Sequence, residues 1–188
     1  MPVNLLPSLR PSLRRAAVLA ACALCLSAAQ AALKPGDAAP GFTTEAALGG
    51  KTFRFQLSEA LAKGPVVLYF FPKAFTQGCT VEAHLFAEAS ERFAALGATV
   101  VGVSADNIDT LKRFSVEACR DKFAVAGASP KTIEDYDARS SWRADMADRI
   151  SYVIGKDGKV VFTHHGSDPE AHVANTLKAV EQLAKPAR

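Results

Sequence analysis

One run, Pro65-Val66-Val67-Leu68-Tyr69-Phe70-Phe71, constrains this chain more than any other feature. Gly64 precedes it and Pro72 follows it. Its apolarity is continuous, not alternating, which marks a central strand covered on both faces. Thr99-Val100-Val101-Gly102-Val103-Ser104 is a second run of the same kind. Between them Val81, Leu85, Phe86, Ala89, Phe93 and Leu96 recur at helical spacing, predicting a helix over 80–96 that Gly97 ends. Strand, helix, strand in this order implies a parallel crossover.

The flanking segments fill in a single α/β domain. Lys51-Thr52-Phe53-Arg54-Phe55 alternates like a strand, and a short helix is expected near 58–63. Asp106-Asn107 opens a helix running to about Arg120. A short strand near Phe123–Val125 and a helix near Lys131–Tyr136 follow. Ile150–Ile154 and Lys159–Thr163 flank Gly155-Lys156-Asp157-Gly158, a hairpin signal. Asp168-Pro169-Glu170 starts the last helix, with proline in its first turn, and that helix extends to about Leu183. The order of elements predicts a central mixed β-sheet flanked by helices, with no repeats or internal linkers.

Residues 1–31 read differently. Arg10, Arg14 and Arg15 are followed by an apolar run from Ala16 to Leu26 and by Ser27-Ala28-Ala29-Gln30-Ala31. This is the pattern of a secretory signal peptide, with cleavage expected after Ala31 and a periplasmic destination. The run is shorter than the about 20 residues a membrane span needs, so no stable membrane association is expected. Leu19-Ala20-Ala21-Cys22 also resembles a lipoprotein box, and Arg14-Arg15 a twin-arginine signal, though the short apolar stretch and the flanks fit these less well. Removing the three arginines takes the formal charge of +3 to zero, 19 basic against 19 acidic residues. Nothing then points to a nucleic-acid partner. Of the four cysteines only Cys79 and Cys119 lie beyond residue 31. In an oxidising compartment such a pair reads by default as a structural disulfide.

The surroundings of Cys79 argue against that default. It ends the loop Pro72-Lys73-Ala74-Phe75-Thr76-Gln77-Gly78, which joins a buried strand to the start of a helix. Free amide N–H groups and the positive end of the helix dipole favour an anion there, and the thiolate is the nucleophilic form of cysteine. Taken alone, Cys79 could equally be a small packing residue, Thr76 a turn hydroxyl and Pro72 a strand terminator. Arg149 could pair with Asp145 or Asp148 on the surface.

The pattern Pro72-x-x-x-Thr76-x-x-Cys79 resembles the active-site signature of the peroxiredoxin superfamily. The run Phe70–Ala83 is similar to that of its Q-type, bacterioferritin-comigratory-protein-like, members. Val101-Gly102-Val103-Ser104-Ala105-Asp106 resembles the second strand of that family, and Arg149-Ile150-Ser151-Tyr152-Val153-Ile154 the segment bearing its active-site arginine. The resemblance implies a thioredoxin-like fold, a monomer, and a thiol peroxidase working without a cofactor. Its partners would be a peroxide substrate and a thiol reductant, either a thioredoxin-like protein or a small thiol. By the same resemblance Cys79 is the peroxidatic thiolate, which becomes a sulfenic acid. Thr76 holds the thiolate and peroxide in line, Pro72 shields the thiolate, and Arg149 favours the thiolate and stabilises charge on the leaving oxygen. Glu82 could orient Arg149 or simply sit near the helix dipole.

The sequence departs from many Q-type members at position 84, where His84 stands in place of a resolving cysteine. Cys119 is then the candidate resolving thiol, placed by its spacing on the apolar side of its helix; an external thiol is the alternative. Cys79, His84, His164 and His165 also offer the donor types of a copper-binding thioredoxin-fold protein, but closely spaced cysteines are missing. A thiol–disulfide oxidoreductase would need a C-x-x-C motif, and Thr76 occupies the required place.

Overall fold

A computed structural model describes residues 32–185. The expected signal segment, including Cys22 and the cleavage point after Ala31, lies outside the described residues.

Among the described residues, seven strands form one mixed sheet: β1 (Thr43–Leu48), β2 (Lys51–Gln56), β3 (Val66–Phe70), β4 (Thr99–Ser104), β5 (Ala124–Gly127), β6 (Ile150–Ile154) and β7 (Val160–His165). Five helices accompany them: α1 (Leu57–Lys63), α2 (Gln77–Ala95), α3 (Ile108–Glu117), α4 (Pro130–Asp135) and α5 (Pro169–Leu183). The spatial order of strands is β2-β1-β5-β4-β3-β6-β7. β3, β4 and β5 are parallel, as the crossover pattern requires. β6 and β7 extend the sheet antiparallel on one side, β1 and β2 on the other.

β3 lies inside the sheet, between β4 and β6, and is buried at every position. Alternate side chains leave it toward opposite layers. Val67, Tyr69 and Phe71 join a cluster with Phe86 and Phe93 of α2, Leu111 and Phe114 of α3, and Val173 and Leu177 of α5. Val66, Leu68 and Phe70 join another with Leu57 and Leu61 of α1 and Ile133 of α4. This is the three-layer arrangement, with helices on both faces of the sheet, that continuous apolarity implies. Tyr69 stacks on Phe86 with ring centroids 4.4 Å apart. It fits because β4 carries Gly102, where a Cβ would come within 2.8 Å of the tyrosine ring.

Several elements differ from the expectation. β1 is an additional strand, made of small and polar residues without alternation; it is fixed by pairing with β2 across Gly49 and Gly50, both at positive φ. α2 begins at Gln77, so Cys79 lies inside its first turn. β5 is displaced to Ala124–Gly127. α3 ends at Glu117 with Ala118 as its C-cap, leaving Cys119 in the following turn and not in the helix.

Candidate active site

The loop from β3 to α2 is held from beneath. Asp106, whose side chain is only 5% exposed, accepts hydrogen bonds from the Ala74 amide at 2.7 Å, the Ser104 hydroxyl at 2.7 Å and the Lys73 ammonium at 3.0 Å. Phe75 adopts φ +65°, an uncommon conformation for a residue with a bulky side chain. Its ring meets Phe114 edge-on at 5.2 Å, and the Arg113 guanidinium lies 5.2 Å from its centroid. These contacts tie the loop to β4 and α3.

Thr76 is the N-cap of α2, yet its hydroxyl makes no capping bond. It donates instead to the Lys73 carbonyl at 2.9 Å. The amides of Gln77, Gly78 and Cys79 therefore have no partner within the helix and form the open, positive end of α2. Cys79 is 2% exposed among them.

Strand register brings Arg149 to this point. Phe70 of β3 pairs with Ile150 of β6, so the residue before Ile150 stands beside the end of β3, where the loop to Cys79 begins. Arg149 Nη2 donates to Cys79 Sγ at 3.4 Å. Nη1 donates to Glu82 Oε2 in a buried ion pair. Cys79 and Glu82 are three residues apart on α2 and share a helix face, so one guanidinium spans both. Gly78 gives it room: a Cβ there would sit 3.1 Å from Nη2. Burial pushes the Glu82 carboxyl up, and the Arg149 guanidinium opposes that rise without cancelling it. The surface pairings open to Arg149 in the sequence do not form. Asp145 pairs with Arg143 at 3.0 Å, and the Asp148 carboxylate with His165 at 2.9 Å.

Behind Glu82 lies a group that the sequence reading missed. His172 of α5 is fully buried. Its Nε2 lies 3.0 Å from the Gly166 carbonyl, and its Nδ1 lies 2.7 Å from the Ser151 hydroxyl and 3.8 Å from Glu82 Oε1. The available signal was a histidine within the apolar spacing Val173, Thr176, Leu177 and Val180.

Pro72 stands half-buried at the head of the loop and Thr76 is exposed. Cys79 and Cys119 are both free and both buried within one apolar cluster. Burial pushes the Cys119 thiol up. The histidines of the copper reading are dispersed: His165 faces Asp148, and the His164 ring packs edge-on against His172 at 4.5 Å. Among the described residues, no three His, Cys, Asp or Glu side chains are grouped to hold a metal ion.

Comparison with known proteins gives this arrangement its context. The model of the AhpC/TSA family matches residues 35–163. The chain belongs to the AhpC/TSA family. Peroxiredoxin Q, chloroplastic, from Triticum aestivum is 32% identical over 149 residues, covering 79% of this chain and 67% of that protein. Among solved structures, peroxidoxin BcpB from Mycobacterium tuberculosis is 27% identical with a TM-score of 0.72, covering 80% of this chain and 98% of the other. The fold is also that of PrxQ from Xylella fastidiosa, with a TM-score of 0.73 at 21% identity over 83% of this chain and all of that one. This AhpC/TSA family member is a thiol peroxidase of the peroxiredoxin superfamily, acting on peroxides with a thiol reductant.

Proposed function

We propose that Cys79 is the peroxidatic residue of this thiol peroxidase, and that Arg149, Thr76 and Pro72 complete its site. The observation that carries this reading is the 3.4 Å approach of Arg149 Nη2 to Cys79 Sγ, in the open first turn of α2. A guanidinium and unpartnered amides converge on one sulfur, the electropositive setting in which cysteines act as nucleophiles. The thiolate attacks one oxygen of ROOH; the S–O bond forms as the O–O bond breaks, and the sulfur becomes a sulfenic acid. The leaving RO⁻ develops its charge near the same guanidinium and takes a proton to become ROH. Because the Thr76 proton is directed to Lys73, the Thr76 oxygen is available to accept from the peroxide O–H. A cleft of about 440 Å³ lined by Pro72, Lys73, Asp106, Arg143 and Met146 adjoins the loop and offers space for the substituent R.

The sulfenic acid is then condensed with a thiol, releasing water. Cys119 as the resolving thiol is supported by its place in the same apolar cluster and by the turn it starts. Arg120 and Asp121 follow at φ 51° and 57°, strained for residues with side chains, and mark where the chain would open. Its complete burial favours the second reading, in which an external thiol resolves Cys79 and Cys119 only packs. We read residues 1–31 as an export signal and the exported protein as a periplasmic monomer without stable membrane association. Among the described residues no helix is long and apolar enough to cross a membrane.

The experiment is intact mass after one equivalent of hydrogen peroxide, with and without a sulfenic-acid trap, for wild type, Cys79→Ser and Cys119→Ser. Loss of two hydrogens in wild type, with a trappable sulfenic acid in Cys119→Ser, supports the two-cysteine cycle. A sulfenic acid in both supports an external thiol. A Cys79 that stays reduced defeats the assignment.

A further inference from the structure

His172 lies beyond residue 163, where the family match ends, and nothing in the peroxidatic step described above uses it. Its geometry fixes its chemistry. A carbonyl oxygen only accepts, so the 3.0 Å contact to Gly166 places the proton on Nε2. Nδ1 is then a bare lone pair, and the Ser151 hydroxyl donates to it at 2.7 Å. The imidazole is neutral and held at both nitrogens. Burial, aided by His164, Arg149 and His165 nearby, favours the same state by lowering its basicity.

This aprotic edge faces the buried carboxyl of Glu82. Oε1 of Glu82 lies 3.8 Å from Nδ1 and has no hydrogen-bond partner among the described residues. Oε2 is held by Arg149. A donor at the position of Nδ1 would give the carboxylate a second partner and draw it from the guanidinium. A void would let the carboxylate turn or admit water. His172 in this tautomer does neither.

We propose that His172, locked by Ser151 and Gly166, is a positioning residue for the peroxidatic centre: it confines Glu82 to a single partner, Arg149, and thereby holds that guanidinium on Cys79. The groups facing it are Glu82 from α2, Arg149 and Ser151 from the β6 segment, and His164 and His165 from β7. This proposal rests on the reading of Cys79 as the peroxidatic thiolate and of Arg149 as its partner.

The test follows two properties of Cys79: its rate constant with hydrogen peroxide by stopped flow, and its thiolate titration by ultraviolet absorbance. The proteins are wild type, His172→Leu, His172→Asn and Ser151→Ala. His172→Leu is expected to slow the reaction about 10- to 100-fold, the scale of a misplaced reacting group, and to move the thiolate titration to higher pH. His172→Asn keeps an acceptor near the place of Nδ1 and is expected to restore most of both properties, which a role in packing alone does not predict. Ser151→Ala, which frees the ring without removing it, is expected to fall between. If His172→Leu does not fold, the order wild type, His172→Asn, Ser151→Ala remains the test.

Unchanged rate and titration in the folded variants overturn the proposal and leave Cys79 as the nucleophile. So does an equal loss in His172→Asn and His172→Leu. If wild-type Cys79 itself fails to react, the peroxidatic reading fails and this proposal goes with it.

Discussion

The hydrogen of Gly78 and the guanidinium of Arg149 share a space too small for a methyl group, since a Cβ at position 78 would lie 3.1 Å from Nη2. Arg149 has little freedom to retreat, because its other nitrogen is bound to buried Glu82. Gly78→Ala should therefore slow the reaction of Cys79 with peroxide by about tenfold through displacement of a charge-stabilising group. Stability should fall slightly, because crowding of a guanidinium held in a buried ion pair outweighs the gain, at most about 0.5–1 kcal/mol, of alanine over glycine in a helix. Stopped-flow kinetics and a thermal melt measure the two separately, and an undiminished rate in a folded variant counts against the steric reading.

Removing the guanidinium should expose how Glu82 is paid for. In Arg149→Met the carboxyl has lost its counter-charge and stays buried, a loss of about 3–5 kcal/mol when it is ionised. Burial raises its folded-state affinity for a proton above that of the unfolded chain. Stability linked to this group is thus present at low pH and lost as pH rises. The destabilisation measured by urea should be larger at pH 8 than at pH 5. Adding Glu82→Gln should remove most of that difference.

The three-way grip of Asp106 predicts a loosened loop when it is lost. In Asp106→Ala the Ala74 amide and Ser104 hydroxyl lose an acceptor that is nearly buried, costing about 1–3 kcal/mol. The exposed Lys73 contributes little by comparison. Peroxide reactivity should fall together with protection of the Ala74 amide in hydrogen exchange. Intact protection in the variant would show that another acceptor takes over.

His172 gives a pH dependence of opposite sign. Burial lowers its pKa to about 4, against an ordinary value near 6.5. Between those values the unfolded chain binds a proton that the folded chain does not, so stability falls as pH drops through this window, by at most about 1.4 kcal/mol per pH unit. Wild type minus His172→Asn isolates this contribution from the carboxylates that titrate nearby. Parallel stability curves from pH 7 to 4.5 would be incompatible with a buried neutral imidazole.

What could be read in advance follows from how local the signal is. Continuous apolarity identified β3 and β4, and helical spacing identified α2, because each is written within one segment. β1 carries no such pattern; Thr43–Leu48 becomes a strand through its neighbours β2 and β5. At the site, the loop spacing singled out Cys79, and family resemblance supplied Arg149. The sequence left Glu82 undecided between the arginine and the helix dipole, and only strand register resolves that choice. His172 and Ser151 had no local mark. Their meeting depends on how α5 docks against β6, a relationship spread over 21 residues of chain.

The pairing of Phe70 with Ile150 also makes completion of the site depend on a late segment of the chain. Cys79, the proposed nucleophile, precedes its guanidinium by 70 residues of chain. A chain ordered only through α4 holds its thiol without Arg149 beside it, however well β3 and α2 have formed. On the reading of Cys79 as the nucleophile, its full reactivity waits until β6 has closed onto β3.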